Sequence, residues 1–483
     1  MNENSFVFLF GLKIEINLNK VYNIVLEEYS MNNNILGTEK IGKLFIKLAI
    51  PSVVAQIINL LYNIVDRIFI GHIPDVGKDA LTGVGVCLPI ITLISAFSAL
   101  CGMGGAPKAA IKMGEGKKEE ANKILGNSFT LTIILAIVLT IIFEIFGYDL
   151  LMAFGASENT ITYAFEYLKV YTIGTIFMMI SLGLNMFITT QGYSNISMRN
   201  VIIGAALNII LDPIFIYLFK MGIKGAALAT IISQAISSVF VLKFLFGSKT
   251  LLKIKINNLK LKATVILPCI ALGVSPFVMQ ATESILSICF NTSLQKYGQD
   301  LAVGTMTILT SLMQLAMLPL HGFTQGSQPI ISYNYGAKQY DRVKKTFIIQ
   351  LIVCFSYSFI FWLMVMVLPK PLIMMFTNNK ELIDYTTWAI RIYMAFLGIF
   401  GVQIACQQTF VSLGNAIISL ILALLRKVIL LIPLIYILPT FINNKCMAVF
   451  LAEPVSDMIA VTTTITVFLI YFKKKFGKQM KEV

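Results

Sequence analysis

Asn208 and Asp212 lie four residues apart in the run Asn208-Ile209-Ile210-Leu211-Asp212-Pro213, so a helix would set an amide and a carboxylate on one face. Asp66 sits in a second apolar run, Asn63-Ile64-Val65-Asp66-Arg67, and Thr230 in a third. A charge at membrane depth costs roughly 2.5–3.5 kcal/mol on insertion scales, so each needs a reason. Two carboxylates, an amide oxygen and a hydroxyl would offer a small hard cation an oxygen-only shell. The same carboxylates, held close where water is scarce, could share a proton instead. Both are chemistries of a coupling ion, Na+ or H+, and residue type does not choose between them. A purely structural arrangement would pair Asp66 with Arg67 and leave Asp212 at a capped kink beside Pro213. Adjacent helical residues point ~100° apart, which sends Arg67 toward the outer surface instead.

The elements that must position these groups are membrane helices. Of the 483 residues 57% are hydrophobic and 13% charged, about half the ~25% charge of soluble domains. Apolar runs recur from Ile41 to Phe472, and in lipid only a helix or a closed barrel satisfies its own backbone. Spans are expected at 44–70, 81–111, 124–147, 162–190, 199–219, 224–246, 264–290, 301–333, 345–368, 384–411, 416–438 and 447–471. Prolines within them (Pro51, Pro89, Pro107, Pro276, Pro319, Pro329, Pro433, Pro454) are expected to bend the helices. A net charge of +14 would suggest nucleic acid in a soluble protein. Here the bases gather in alternate loops: nineteen in the even-numbered loops and the tail, against seven in the odd-numbered ones. That asymmetry is an orientation signal that puts both termini in the cytoplasm, and no nucleic-acid partner is expected.

The chain also repeats. Gly104, Pro107, Gly114 and Gly192 recur 222 residues later as Gly326, Pro329, Gly336 and Gly414. An offset spanning six helices gives two halves of the same orientation, related by an axis along the membrane normal. The expected fold is an all-α polytopic membrane protein of twelve transmembrane helices in two six-helix bundles. Residues 1–37 form a polar N-terminal extension read as unstructured, of which residues 1–30 are expected to be dispensable. The first lobe spans 38–246, a basic cytoplasmic linker 247–262, the second lobe 263–472, and a basic tail 473–483.

Enzyme and cofactor chemistry finds little support. His72 and His321 are isolated, the seven cysteines show no ligand spacing, and Gly102-Met103-Gly104-Gly105 lacks the Lys-Ser/Thr of a phosphate loop. With no nucleotide site, an ion gradient is the expected energy source, and no cofactor is expected. The remaining deep polar residues are Glu283, Gln280, Gln403, Gln407 and Glu453, candidates for a substrate cavity. Arg391 and Arg426 are possible partners of the two acids, although Glu453 beside Pro454 is read first as satisfying freed backbone groups. Met (22) and Phe (34) suit an adaptable cavity but also ordinary lipid contact.

Asn63-Ile64-Val65-Asp66-Arg67-Ile68-Phe69-Ile70-Gly71, residues 208–216, 225–234 (GAALATIISQ) and 452–457 (AEPVSD) together resemble multidrug and toxic compound extrusion (MATE) transporters, nearest the bacterial MepA-like and DinF-like branch. The resemblance runs from about residue 38 to 472. It implies a two-lobe, monomeric antiporter of the bacterial cytoplasmic membrane that exports cationic or amphipathic drugs against Na+ or H+. By motif, Asp66, Asn208, Asp212 and Thr230 match the family's N-lobe cation site. The alternative is a flippase of a lipid-linked substrate in the same superfamily. Such a protein should carry a basic cavity, whereas the deep acids here outnumber Arg391 and Arg426. In the second half, Ile432-Pro433 stands where Asp212-Pro213 would fall, and Glu453 where Thr230 would. Ion coupling is therefore expected mainly in the first lobe.

Overall fold

The computed structural model describes residues 5–9, 12–16, 35–74, 76–158 and 160–479. The first lobe holds α1 (Ile41–Gly71), α2 (Gly77–Gly114), α3 (Lys118–Ala153), α4 (Ile161–Ile173, then Thr175–Thr190), α5 (Ser194–Leu218) and α6 (Ile223–Phe246). A single helical stretch, Ala263–Gly336, follows and is broken at Gln299, whose φ of 52° leaves the helical region. Its 74 residues would run roughly 110 Å if straight, against a hydrocarbon core of ~30 Å. It is therefore two spans, α7 before Gln299 and α8 after it. The second lobe continues with α9 (Tyr340–Val367), α10 (Lys380–Tyr393, then Leu397–Ser412), α11 (Ala416–Phe441) and α12 (Lys445–Gln479). The bundle has twelve transmembrane helices in two lobes.

Several helices depart from the sequence expectation. The sharpest bends, 60° in α4 and 47° in α10, contain no proline. In α4 the break falls at Gly174, where a Cβ would lie 2.5 Å from Ile231 Cγ1, so the bend brings α4 against α6. Widened π-type turns at Ile214–Leu218 and Leu425–Leu431 adjoin Pro213 and Ile432-Pro433, as expected where a proline removes a ladder hydrogen bond. Ahead of the bundle, Ser5–Leu9 pairs antiparallel with Leu12–Ile16. The reading of 1–37 as unstructured thus meets a short hairpin. Its signal was the alternation Leu12-Lys13-Ile14-Glu15-Ile16. The rest of the extension as far as residue 34 lies outside the described residues.

The repeat is visible as packing. A Cβ on Gly114 would meet the Tyr333 carbonyl, and one on Gly336 would meet the Ile111 carbonyl. Residues 111 and 333 are themselves 222 apart, so the two contacts are images of each other. Likewise Gly104 abuts Cys269 and Gly273 on α7, while Gly326 on α8 abuts Ala49 on α1. These glycines let the lobes meet backbone to backbone over the half of the bundle that carries the basic loops. Gln56 Nε2 donating to Gln325 Oε1 (2.9 Å) and the Phe97–Phe277 ring contact (4.8 Å) join the lobes deeper in.

Two segments tie this basic end together. The turn Ile35–Thr38 precedes α1 yet bonds to the second lobe. Arg342 donates to the Leu36 and Glu39 carbonyls (3.1 and 2.8 Å), and Asn334 to that of Leu36 (2.9 Å). The 247–262 linker is stitched to the first lobe along its length. Asn122 Oδ1 accepts from Lys253 N, Gln191 Oε1 from Leu252 N, and Asn127 Oδ1 from Lys262 N. These bonds hold the linker to the first lobe.

Candidate functional site

α5 presents Asn208 and Asp212 toward α6, and Asn208 Nδ2 donates both to Asp212 Oδ1 (3.2 Å) and to Thr230 Oγ1 (3.3 Å). The i, i+4 spacing thus becomes a real contact. Asp66 on α1 brings its carboxyl within hydrogen-bonding reach of Asp212. Tyr217, in the widened turn after Pro213, donates to the Phe69 carbonyl at 2.7 Å and fixes α5 against α1 beside the pair. Arg67 is exposed, as its direction on the helix requires.

What marks this group is what it lacks. Asp66 Oδ1, Asn208 Oδ1 and Asp212 Oδ2 are buried acceptors without a hydrogen-bond partner. Buried polar atoms are nearly always paired, and an orphan costs about 1–3 kcal/mol, more when charged. Unpaired oxygens on two neighbouring carboxyls and an adjacent amide suit a small hard cation, or a proton shared by the carboxyls. The donors are oxygen only, and among the described residues no cluster of three or more His, Cys, Asp or Glu could hold a metal.

Sequence reasoning missed the surroundings. Tyr62, one turn before Asp66, and the stacked Tyr167 and Tyr171 of α4 (ring centroids 5.7 Å) wall the carboxyls. Tyr62 was readable at i−4 from Asp66, whereas the α4 tyrosines carry no local signal. A narrow void of about 20 Å³ runs from Asn208 and Thr230 past Asn200, Ser233 and Gln234 to Asn59. Asn59, Leu182 and Val201 also line a central cavity of about 370 Å³ between the lobes. The void that Asn208 and Thr230 line therefore shares a wall of Asn59, Leu182 and Val201 with the cavity, while Asp66 and Asp212 line neither.

That cavity is walled by Gln56, Asn59, Asn185, Gln325 and apolar residues, and on its second-lobe side by Gln280, Glu283, His321, Gln407 and Lys427. Of the five cavity candidates, Glu283, Gln280 and Gln407 lie on the wall. Gln403 is buried away from it with Oε1 unpartnered, and Glu453 is held elsewhere. Lys427, absent from the sequence reading, donates to Glu283 Oε1 and to the Met279 carbonyl (3.1 Å).

The second-lobe acids correct three expectations. Glu453 does not serve the backbone freed by Pro454; it accepts from Arg426 Nη2 at 2.9 Å. Asp457, not singled out from sequence, accepts from Arg426 Nε at 2.7 Å. Arg391 is exposed on α10 and takes no part in either pair. The Arg426 guanidinium also stacks over Phe400, 4.4 Å from the ring centroid. Deep acids therefore do not stand unopposed in this lobe: each has a tethered base.

The MatE family pattern matches twice, over residues 51–214 and 276–437, once per lobe. The chain belongs to the MatE family. Among its relatives, multidrug export protein MepA of Staphylococcus haemolyticus is 23% identical over 89% of this chain and 93% of its own length. MepA of Staphylococcus saprophyticus is 24% identical over 81% and 85%. Among solved structures, one described as the outward-facing conformation of a multidrug resistance MATE family transporter of the MOP superfamily superposes with a TM-score of 0.86. It shares 22% identity and covers 92% of this chain and 99% of its own. A MOP superfamily transporter from Pyrococcus furiosus, described as having a binding pocket of reverse polarity, gives 0.85 at 22% identity, with the same coverage. These MatE structures share the two-lobe fold.

Proposed function

We propose that this MatE protein is a secondary active exporter of amphipathic small molecules, cationic ones among them. It exchanges them for Na+ or H+ by alternating access of its two lobes. The observation that carries the reading is the set of orphan acceptors on Asp66, Asn208 and Asp212, of which Asn208 lines a void that shares Asn59 with a cavity between the lobes. The glycine seam closes the basic end, which the loop charges place in the cytoplasm with both termini. This arrangement corresponds to the outward-facing arm of a transport cycle in the plasma membrane. Each chain holds a complete ion site and cavity, so the monomer is the working unit.

The ion acts by binding one arrangement more tightly, since equal affinity for both shifts nothing. Asp66 and Asp212 would hold the ion and Asn208 and Thr230 complete its shell. An inward-moving charge adds about 2.3 kcal/mol per 100 mV. A flippase reading needs a free basic cavity, and the one lysine on the wall is bonded to Glu283. The test is ethidium efflux from proteoliposomes under separately imposed Na+ and pH gradients. Asp212→Asn and Asp66→Asn should each abolish uphill efflux while the folded protein still inserts. Uphill efflux by the double variant under either gradient would show the first-lobe site to be misassigned.

A further inference from the structure

The second-lobe wall of the cavity carries a charge pattern that neither the ion site nor the general export reading uses. Glu283 and Lys427 sit 144 residues apart in sequence and face each other across α7 and α11. The Lys427 side chain is only 5% exposed, while that of Glu283 is 62% exposed although it stands inside the cavity. Lys427 is turned inward by the widened Leu425–Leu431 segment. An ammonium has three N–H donors, and two are taken by Glu283 Oε1 and the Met279 carbonyl. On the other side, Glu283 Oε2 is left for a ligand. Apart from His321, the remaining polar wall is uncharged, with Gln56, Gln325 and Gln407 prominent.

We infer that Glu283 and Lys427 form a dipolar recognition site that selects zwitterionic amphipaths, with the cargo ammonium on Glu283 and the cargo carboxylate on Lys427. This deepens the export reading and rests on it. A monocation on Glu283 Oε2 shares one carboxylate with the buried Lys427 and leaves the site with an uncompensated positive charge, which is costly. A monoanion on Lys427 meets the opposite penalty at Glu283. A molecule carrying both charges satisfies both groups, and the surrounding carboxamides supply hydrogen bonds without changing the charge balance.

Nε-dansyl-lysine, a fluorescent zwitterion, its methyl ester, a cation, and its Nα-acetyl derivative, an anion, provide a matched series. Binding is read by dansyl fluorescence in detergent and export in the proteoliposomes used for ethidium. Wild type should prefer the zwitterion by about tenfold over either ion, in line with a charge-assisted hydrogen bond lost. Lys427→Met should move the preference to the ester, and Glu283→Gln toward the acetyl derivative. If Glu283→Gln melts early because Lys427 is left unpaired, the double variant Lys427→Met, Glu283→Gln removes both charges and should bind all three probes alike. The same rank order in wild type, Lys427→Met and the double variant would overturn the inference while leaving export of ethidium standing. Failure of wild type to export ethidium as well would overturn the export reading with it.

Discussion

Alanine at Gly114 or Gly336 should drive the protein away from the arrangement closed at its basic end. A Cβ at Gly114 would lie 1.9 Å from the Tyr333 carbonyl oxygen, and one at Gly336 would lie 2.0 Å from that of Ile111. Ordinary contact lies at ~3.5 Å, so the backbones must part by roughly 1.5 Å. Both obstacles are main-chain atoms of the opposite lobe, so no side-chain rotation relieves them. Overpacking costs about 1–3 kcal/mol, which corresponds to a roughly 5–150-fold fall in the closed-to-open ratio. Helix propensity acts in the other direction, favouring alanine by ~0.5–1 kcal/mol. Gly85 on α2 has open space around its Cβ position, so Gly85→Ala isolates that term and should leave the equilibrium unmoved. Spin labels at the exposed Lys118 and Lys344 report the separation at the basic end. The seven native cysteines are all buried, which leaves the introduced pair as the reactive one. Lengthened distances are expected for both seam variants. Unchanged distance distributions in folded Gly114→Ala and Gly336→Ala would refute the claim that this seam closes the cavity.

Arg426→Met should strand the Glu453 and Asp457 carboxylates in a buried site and destabilise by about 3–5 kcal/mol. Thermal unfolding in detergent would read this, and adding Glu453→Gln with Asp457→Asn should recover most of the loss. Arg342→Ala removes donors from Leu36, Glu39 and Asn334; amide exchange at 35–39 should accelerate while exchange in α5 stays unchanged. The Lys255 side chain, bonded to Glu119 at 2.6 Å, holds that carboxyl below the usual glutamate range. A lowered value means the linker contact is fully present above the ordinary glutamate pKa of ~4.3 and is lost as pH falls through the lowered one. Linker exchange in detergent, taken relative to the intrinsic amide rate at each pH, should therefore be flat from pH 8 to about 5 and rise only in acid. A rise near neutrality would contradict this.

The sequence made the spans and the repeat legible because lipid enforces them: a polar backbone in hydrocarbon must be helical, and a shared register of glycines survives as a pattern. The first-lobe site was legible for the same reason, since Asp66 and Asp212 stand out against isoleucine and leucine. Lys427 and Arg426 were harder. They interrupt a run otherwise as apolar as any in the chain, and which acid each meets depends on α7 and α12, far away in sequence. Asp457 falls one turn after Glu453, a spacing that could have flagged the pair, but its partner Arg426 fixes its role only in three dimensions. The α4 bend was unreadable from proline because Gly174, packed against Ile231, lies at its break, and the α10 break likewise contains no proline. The linker's attachment was not legible because its lysines suggest solvent; its backbone hydrogen bonds to Asn122, Asn127 and Gln191 are invisible in composition.

The two lobes meet the same architectural problem with opposite solutions. In the first, the fifth helix reaches the sixth through Asn208 and Thr230 at 3.3 Å; in the second, the corresponding pair of helices meets through Arg426 and Glu453 at 2.9 Å. At the same offset of 223, Gln234 falls opposite Asp457. The first lobe leaves three acceptor oxygens open, whereas the second fills the place with a guanidinium carried by the chain itself. A tethered cation cannot be released on one side of the membrane and taken up on the other, so it cannot take the part of an exchanged ion. Its effect is to hold α11 and α12 together as a rigid unit. In the proposed cycle, the exchanged charge would be carried by the first lobe, and the second lobe's charges would be left to read the cargo.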